Sequence, residues 1–250
     1  MKIRVINPNT TINMTSKIGE AARKIASPGT VIVATNPKSG PVSIESHFDE
    51  AISAVGVTEE VRSGEGDNTD AYIIACFGDP GLLAARELTS APVIGIAEAA
   101  FHLATLISTR FSIVTTLGRT GIIAEHLLQT YGFYNHCRQV RAAEIPVLDL
   151  EDDSNVALNR IIAECLCAKA EDNIGAIVLG CGGMADLTAH IQEEVGLPIV
   201  EGVTAAVKLA ESLVSLGLKT SKYGDLALPP PKLFTGNFAH LSNAGIKMAE

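Results

Sequence analysis

Two cysteines, Cys76 and Cys181, stand in matching surroundings. Each follows a short apolar run, Tyr72-Ile-Ile-Ala or Ala176-Ile-Val-Leu-Gly. Each opens a glycine-containing turn, Phe77-Gly78-Asp79-Pro80-Gly81 or Gly182-Gly183-Met184-Ala185-Asp186. A thiol at the end of a buried strand sits where open α/β sheets bind ligands, beyond the carboxyl ends of the strands. The turns predict helix starts, with Asp79 as an N-cap and Pro80 in the first turn. Free N–H groups there would lower a thiol's pKa and could hold an oxyanion. Two such thiols facing across one cleft suit a particular reaction. One thiolate removes a proton from carbon, the opposed thiol returns a proton on the other face, and a stereocentre inverts without a cofactor. The carbon must be acidified by a neighbouring group such as a carbonyl.

Other candidates read as structural. A free cysteine is usually a small buried hydrophobe, and only the matched contexts set Cys76 and Cys181 apart. Cys165 reads as helix core. One residue separates it from Cys167, so the two point in different directions and make a poor metal pair. Cys137 follows His136 in a polar stretch that reads as surface. There is no Cys-x-x-Cys and the six histidines show no ligand spacing, so no metal is expected. Gly180-Cys-Gly182-Gly183 lacks the full dinucleotide pattern, with Ala185 in its last position, so no nucleotide cofactor is expected. Glu45 reads as a helix-start carboxylate, with contact to substrate or a cysteine as the alternative. Glu151-Asp152-Asp153 reads as a solvated helix start capped by Asp153 or Ser154.

The elements that must position the thiols alternate. Ile3–Ile6, Thr30–Ala34, Ala71–Ala75 and Pro92–Ile96 predict strands, with helical spacing between them (Ile12, Ile18, Ala22 and Ile25 in the first interval). Alternation of strand and helix predicts parallel sheets with right-handed crossovers. The order then recurs. Residues 111–117 resemble residues 3–9 at an offset of 108, the cysteines are 105 apart, and Pro92-Val-Ile matches Pro198-Ile-Val at 106. Near-equal offsets in matching contexts predict two related lobes. Residues 1–97 with 208–250 form the first, which carries Cys76. Residues 98–207 form the second, which carries Cys181, with the site in the cleft between them.

The 250 residues are 47% apolar and 19% charged, enough to form a core and too apolar for disorder. A formal net charge of −9, few aromatics and no Trp argue against a nucleic-acid surface. Five scattered cysteines fit reduced thiols better than a disulfide framework. The opening residues lack the apolar core of a signal peptide, and no stretch approaches a membrane span, so a cytoplasmic protein without a membrane partner is expected.

Cys76-Phe-Gly-Asp-Pro-Gly-Leu82, Gly180-Cys-Gly-Gly-Met184, Ile6-Asn-Pro-Asn-Thr10 and Gly40-Pro-Val-Ser-Ile-Glu-Ser46 together resemble the hydantoin racemase family of the aspartate/glutamate racemase superfamily, and within it the allantoin racemases. The resemblance runs through Ser221-Lys-Tyr-Gly224 and Pro231-Lys232, nearly the whole chain. It implies a two-lobed α/β fold with pseudo-twofold symmetry, each lobe a four-stranded parallel sheet flanked by helices. It also implies catalysis by Cys76 and Cys181 without cofactor or metal, a small neutral ring as substrate, homo-oligomers, and a place in purine catabolism if allantoin is the substrate. Pocket positions carried over from the superfamily are Asn7, Pro41, Ser43, Ile44, Thr115 and Thr116, with Phe77, Gly78, Gly182 and Gly183 from the cysteine turns. Phe77 puts a flat apolar surface where amino-acid racemases of the superfamily place small polar residues that grip a carboxylate. Lys38 is the nearest cation in these loops. Aspartate/glutamate racemisation, cis–trans isomerisation of the maleate type, decarboxylation, and non-catalytic binding of a small ring are the alternatives.

Overall fold

The computed structural model describes residues 1–151 and 155–242. In chain order the elements are β1 (Lys2–Ile6), α1 (Ile12–Ile25), β2 (Val31–Thr35), α2 (His47–Glu65), β3 (Ala71–Ile74), α3 (Leu82–Leu88), β4 (Val93–Gly95), α4 (Ile96–Ile107), β5 (Phe111–Thr115), α5 (Gly118–Thr130), β6 (Cys137–Ala142), α6 (Val156–Glu171), β7 (Ala176–Leu179), α7 (Thr188–Val195), β8 (Ile199–Glu201) and α8 (Gly202–Ser215). The strands form two four-stranded sheets, ordered β2-β1-β3-β4 and β6-β5-β7-β8. Every pairing is parallel. The repeated order is therefore one topology built twice.

The central strands are apolar and fully buried, as both-side coverage requires. The edge strand β6, Cys-Arg-Gln-Val-Arg-Ala, is half exposed. Its polar sequence reads as surface, yet Cys137 begins a strand because an edge buries only part of itself. Burial still pushes the Cys137 thiol up to about 12. From the same strand Arg141 bonds Glu164, Glu171 and Asp172, tying β6 to α6 and the turn after it.

Two helices leave their sheets without a loop. Gly95 ends β4 and caps α4, and Glu201 ends β8 and caps α8. Each then packs on the opposite sheet: α4 on β7 and β8, α8 on β3, β4 and α1. The expected boundary after residue 207 thus falls inside α8, which is continuous from Gly202 and lies on the first sheet. Glu211 of α8 fixes this by accepting from Ser27 N, Ser27 Oγ and Thr30 Oγ1 at 2.7–2.8 Å. Alanines (97, 99, 100 and 104 in α4; 205, 206 and 210 in α8) let the two helices lie close together. At their starts the backbones nearly touch, since a Cβ on Gly202 would lie 2.5 Å from Ile96 O. Phe101 of α4 is the centre of the shared core, edge-on to Phe77 of the first lobe at 5.6 Å and stacked on Phe111 of the second at 5.8 Å.

The helix after Cys76 is not capped as expected. Asp79 has a left-handed φ of +45°, Gly81 is the residue before α3, and the Asp79 carboxylate instead accepts from Ala97 N and Glu98 N of α4 at 3.1 and 3.0 Å. Tyr131 Oη of the second lobe donates to the same carboxylate at 3.0 Å. Glu201 mirrors it on α8, accepting from Val203 N and Thr204 N. Burial pushes both acids up to about 7 against these hydrogen bonds. The cap expected at Asp153 or Ser154 lies outside the described residues.

Candidate active site

β3 and β7 hold equivalent central places in their sheets, and each thiol comes two residues after its strand ends, at Cys76 after Ile74 and Cys181 after Leu179. Both cysteines are partly exposed and line a single cavity between the lobes. The turns meet at backbone level: a Cβ on Gly182 would lie 2.7 Å from Ala75 O. Glycine is thus needed at 182 for the two cysteine turns to approach this closely.

The cavity brings together Asn7, Ile44, Phe77, Gly78, Thr116, Gly182 and Gly183 of the expected positions. Pro41, Ser43 and Thr115 do not line it. Pro41 O accepts from Thr10 N and Thr10 Oγ1, so that loop is stitched to the one after β1. Thr115 is buried and donates to Gly180 O, which holds the Cys181 turn from behind. Asn7 lines the wall, but its amide donates to Asn9 Oδ1 at 2.7 Å and Thr15 Oγ1 at 3.0 Å, so its first task is to shape the loop. Lys38 is exposed and does not line the cavity.

The expected lowering of the thiol pKa does not hold at Cys76. α3 begins only at Leu82, too far along for its dipole to reach the sulfur, whose field fades within one turn. Burial pushes the Cys76 thiol well up; the Gly78 N–H opposes this, while coupling to Cys181, Glu50 and Asp79 adds to it. Cys181 precedes a single 3-10 turn, Gly182–Met184.

Glu45 neither serves its own helix nor lines the cavity. Its Oε1 accepts from Val147 N across the cleft at 2.7 Å, beside the lining residues Ile44 and Val147. His47 of α2 stacks on His126 of α5, ring centres 6.1 Å apart, as a second bridge between the lobes. The cavity is small, about 50 Å³, and partly open to solvent.

The sequence reading missed Glu50, in the first turn of α2, which lines the cavity beside Cys76. Burial raises its pKa, with the hydrogen bond and charge of His47 opposing. Among the described residues no three His, Cys, Asp or Glu side chains gather as a metal site, and no helix is long and apolar enough to cross a membrane.

Residues 3–210 match the family of Asp/Glu/hydantoin racemases. The chain belongs to that family. A hydantoin racemase of Pseudomonas sp. (strain NS671) is 47% identical over 236 residues, 94% of this chain and 95% of that one. The solved allantoin racemase from Klebsiella pneumoniae superposes with a TM-score of 0.95 at 57% identity, covering 97% of this chain and 99% of that one. The allantoin racemase from Pseudomonas fluorescens gives 0.91 at 43%, covering 94% and 100%. As a member of the racemase family the protein is an isomerase, and its two parallel sheets are those of the superfamily fold.

Proposed function

We propose that this racemase interconverts the enantiomers of allantoin, or of another 5-substituted hydantoin, by moving protons at C5 between Cys76 and Cys181. The observation that carries the reading is the placing of two thiols at equivalent strand ends, lining one cavity from opposite lobes. Whichever sulfur is the thiolate takes the C5 proton, and the pair of electrons left on carbon is spread onto the adjacent ring carbonyl as an enolate. The opposed thiol delivers its proton to the other face of C5. Thiol and thiolate have then changed places, so the reverse reaction restores the resting state. The first N–H groups of a helical turn lack intrahelical partners; those of Gly182 and Gly183 are the donors for the enolate oxygen. The apolar face of Phe77 and the absence of Arg, Lys or His among the described lining residues favour a neutral ring over an amino-acid carboxylate. With allantoin as substrate, the reaction would belong to purine breakdown.

The test uses one enantiomer of allantoin in D₂O against an enzyme-free control, following optical rotation and the C5–H signal together. Both should decay with enzyme. Cys76→Ser and Cys181→Ser should each abolish racemisation, while each retains exchange of C5–H in one enantiomer, with opposite preferences. Allantoin untouched but an alkyl or aryl hydantoin turned over would move the substrate within the class. Turnover of aspartate, glutamate or maleate alone would overturn the reading.

A further inference from the structure

Apart from the two thiols, Glu50 is the only ionisable side chain among the described residues lining the cavity. Its place is unusually well defined. The side chain is 18% exposed, and Oε2 meets His47 Nδ1 at 3.3 Å on the outer side. Oε1 lies so close over Gly78 that a Cβ there would be 2.1 Å from it, two residues beyond Cys76. No group of the described residues donates to Oε1. Its neighbour Asp49, by contrast, serves the loop, accepting from Glu45 N at 3.0 Å. The nearby amide of Asn7 is committed within its own loop. The cavity therefore offers an incoming molecule a carboxyl acceptor beside the reacting thiol, with no cation among the described lining residues to compensate a second negative charge.

We propose that Glu50 determines specificity: its Oε1 accepts an N–H of the hydantoin ring or of the C5 substituent, and its charge turns away substrates that carry a carboxylate there. This rests on the hydantoin reading above and deepens it. A hydantoin has ring N–H donors, and allantoin adds those of its ureido group, so the substrate supplies what Oε1 lacks. Two carboxylates in a partly buried space repel strongly, since neither is well screened. Discrimination is thus achieved by an introduced repulsion as well as by an attraction. Burial raising the Glu50 pKa is consistent with a group whose charge is already disfavoured and tolerates no second one nearby.

The test compares two near-isosteric rings, hydantoin-5-acetamide and hydantoin-5-acetate, as single enantiomers with wild type, Glu50→Gln and Glu50→Asp. Wild type should favour the amide by about 100-fold in kcat/KM, Glu50→Gln should cut that ratio by about tenfold or more, and Glu50→Asp should keep most of it. The ratio is taken within each preparation, so loss of folded protein cancels. A ratio indifferent to Glu50→Gln, or relaxed equally by Glu50→Asp, would overturn the proposal alone. A folded Glu50→Gln protein inactive on both rings would assign Glu50 to proton transfer and overturn a recognition role. Wild type inactive on both rings and on allantoin would overturn the hydantoin reading, and this proposal with it.

Discussion

The contact between Gly182 and Ala75 gives the sharpest test of how the lobes set the thiol pair. Gly182→Ala adds a Cβ that would lie 2.7 Å from Ala75 O, where ordinary contact begins at 3.4 Å. Ala75 precedes Cys76 and Gly182 follows Cys181, so on the proposed two-thiol reading the shift of about 0.7 Å needed to relieve the clash is taken up between the two sulfurs. Misplacement of this size at a reacting centre costs about tenfold to a hundredfold in rate, while overpacking one methyl costs about 1–3 kcal/mol in stability. Gly202→Ala is the control. Its Cβ would meet Ile96 O at 2.5 Å, a worse clash, at a pair of residues that do not line the cavity. Polarimetry on a single hydantoin enantiomer gives kcat, and urea unfolding gives stability. Gly182→Ala should lose more kcat, and Gly202→Ala at least as much stability. Wild-type kcat in Gly182→Ala, or equal kcat losses in the two variants, would refute the idea that this contact spaces the thiols.

Four further outcomes are expected. Phe101→Ala should cost about 3–5 kcal/mol in urea unfolding and keep a single transition, because the ring it removes touches both lobes. Burial raises Asp79 from 3.8 to about 7 in the folded state, so the native protein holds that proton more tightly than the unfolded chain and stability falls as pH rises from about 3.8 to about 7; Asp79→Asn should flatten that part of a Tm-against-pH curve. Glu211 has the opposite sign: burial acts to raise it, but Lys208, Ser27 and Thr30 hold it down at about 2, so its contribution is lost only as pH falls from 4.5 toward 2. Glu45→Ala removes the bond to Val147 N across the cleft; a charge-assisted bond is worth about 1.5–3 kcal/mol, so urea unfolding should show a loss of about that size, and unchanged stability would show that the bond does not hold the two sides together.

The thiol pair and the two-sheet plan were legible because the chain states them twice. The repeat of apolar run, cysteine and glycine turn survives in the sequence, and central strands buried on both faces leave unbroken apolar runs. What escaped the reading depends on tertiary placement. β6 is an edge strand whose Arg138, Gln139 and Arg141 reach solvent or the carboxylates of α6, so its pattern is that of a loop. Asp79 precedes Pro80 as a cap should, yet its left-handed backbone turns the carboxylate away from α3 to a helix seventeen residues on. Glu45 stands in sequence beside the helix that follows it, while its partner Val147 lies 102 residues away. Glu50 gave no signal because α2 mixes Glu, Ala, Ser and Gly without an apolar stripe, so only the packed helix reveals which carboxylate looks inward.

The crossing of α4 and α8 has a consequence for how the chain is made. The first sheet is complete at Gly95, but one of the helices that covers it ends at Ser215. A chain growing from its N-terminus must therefore hold the apolar residues of β3 and β4 without that cover until most of the protein has been synthesised. Loop closure over such a separation makes formation of the native core slow compared with a local helix–strand packing. It also makes each half a poor independent folder, and two half-length chains would complete one another by exchanging their last helices. The present chain has the architecture of such an exchanged pair joined end to end, with the junction at residues 108–110 between α4 and β5 and one of the two cavity-lining thiols on each side.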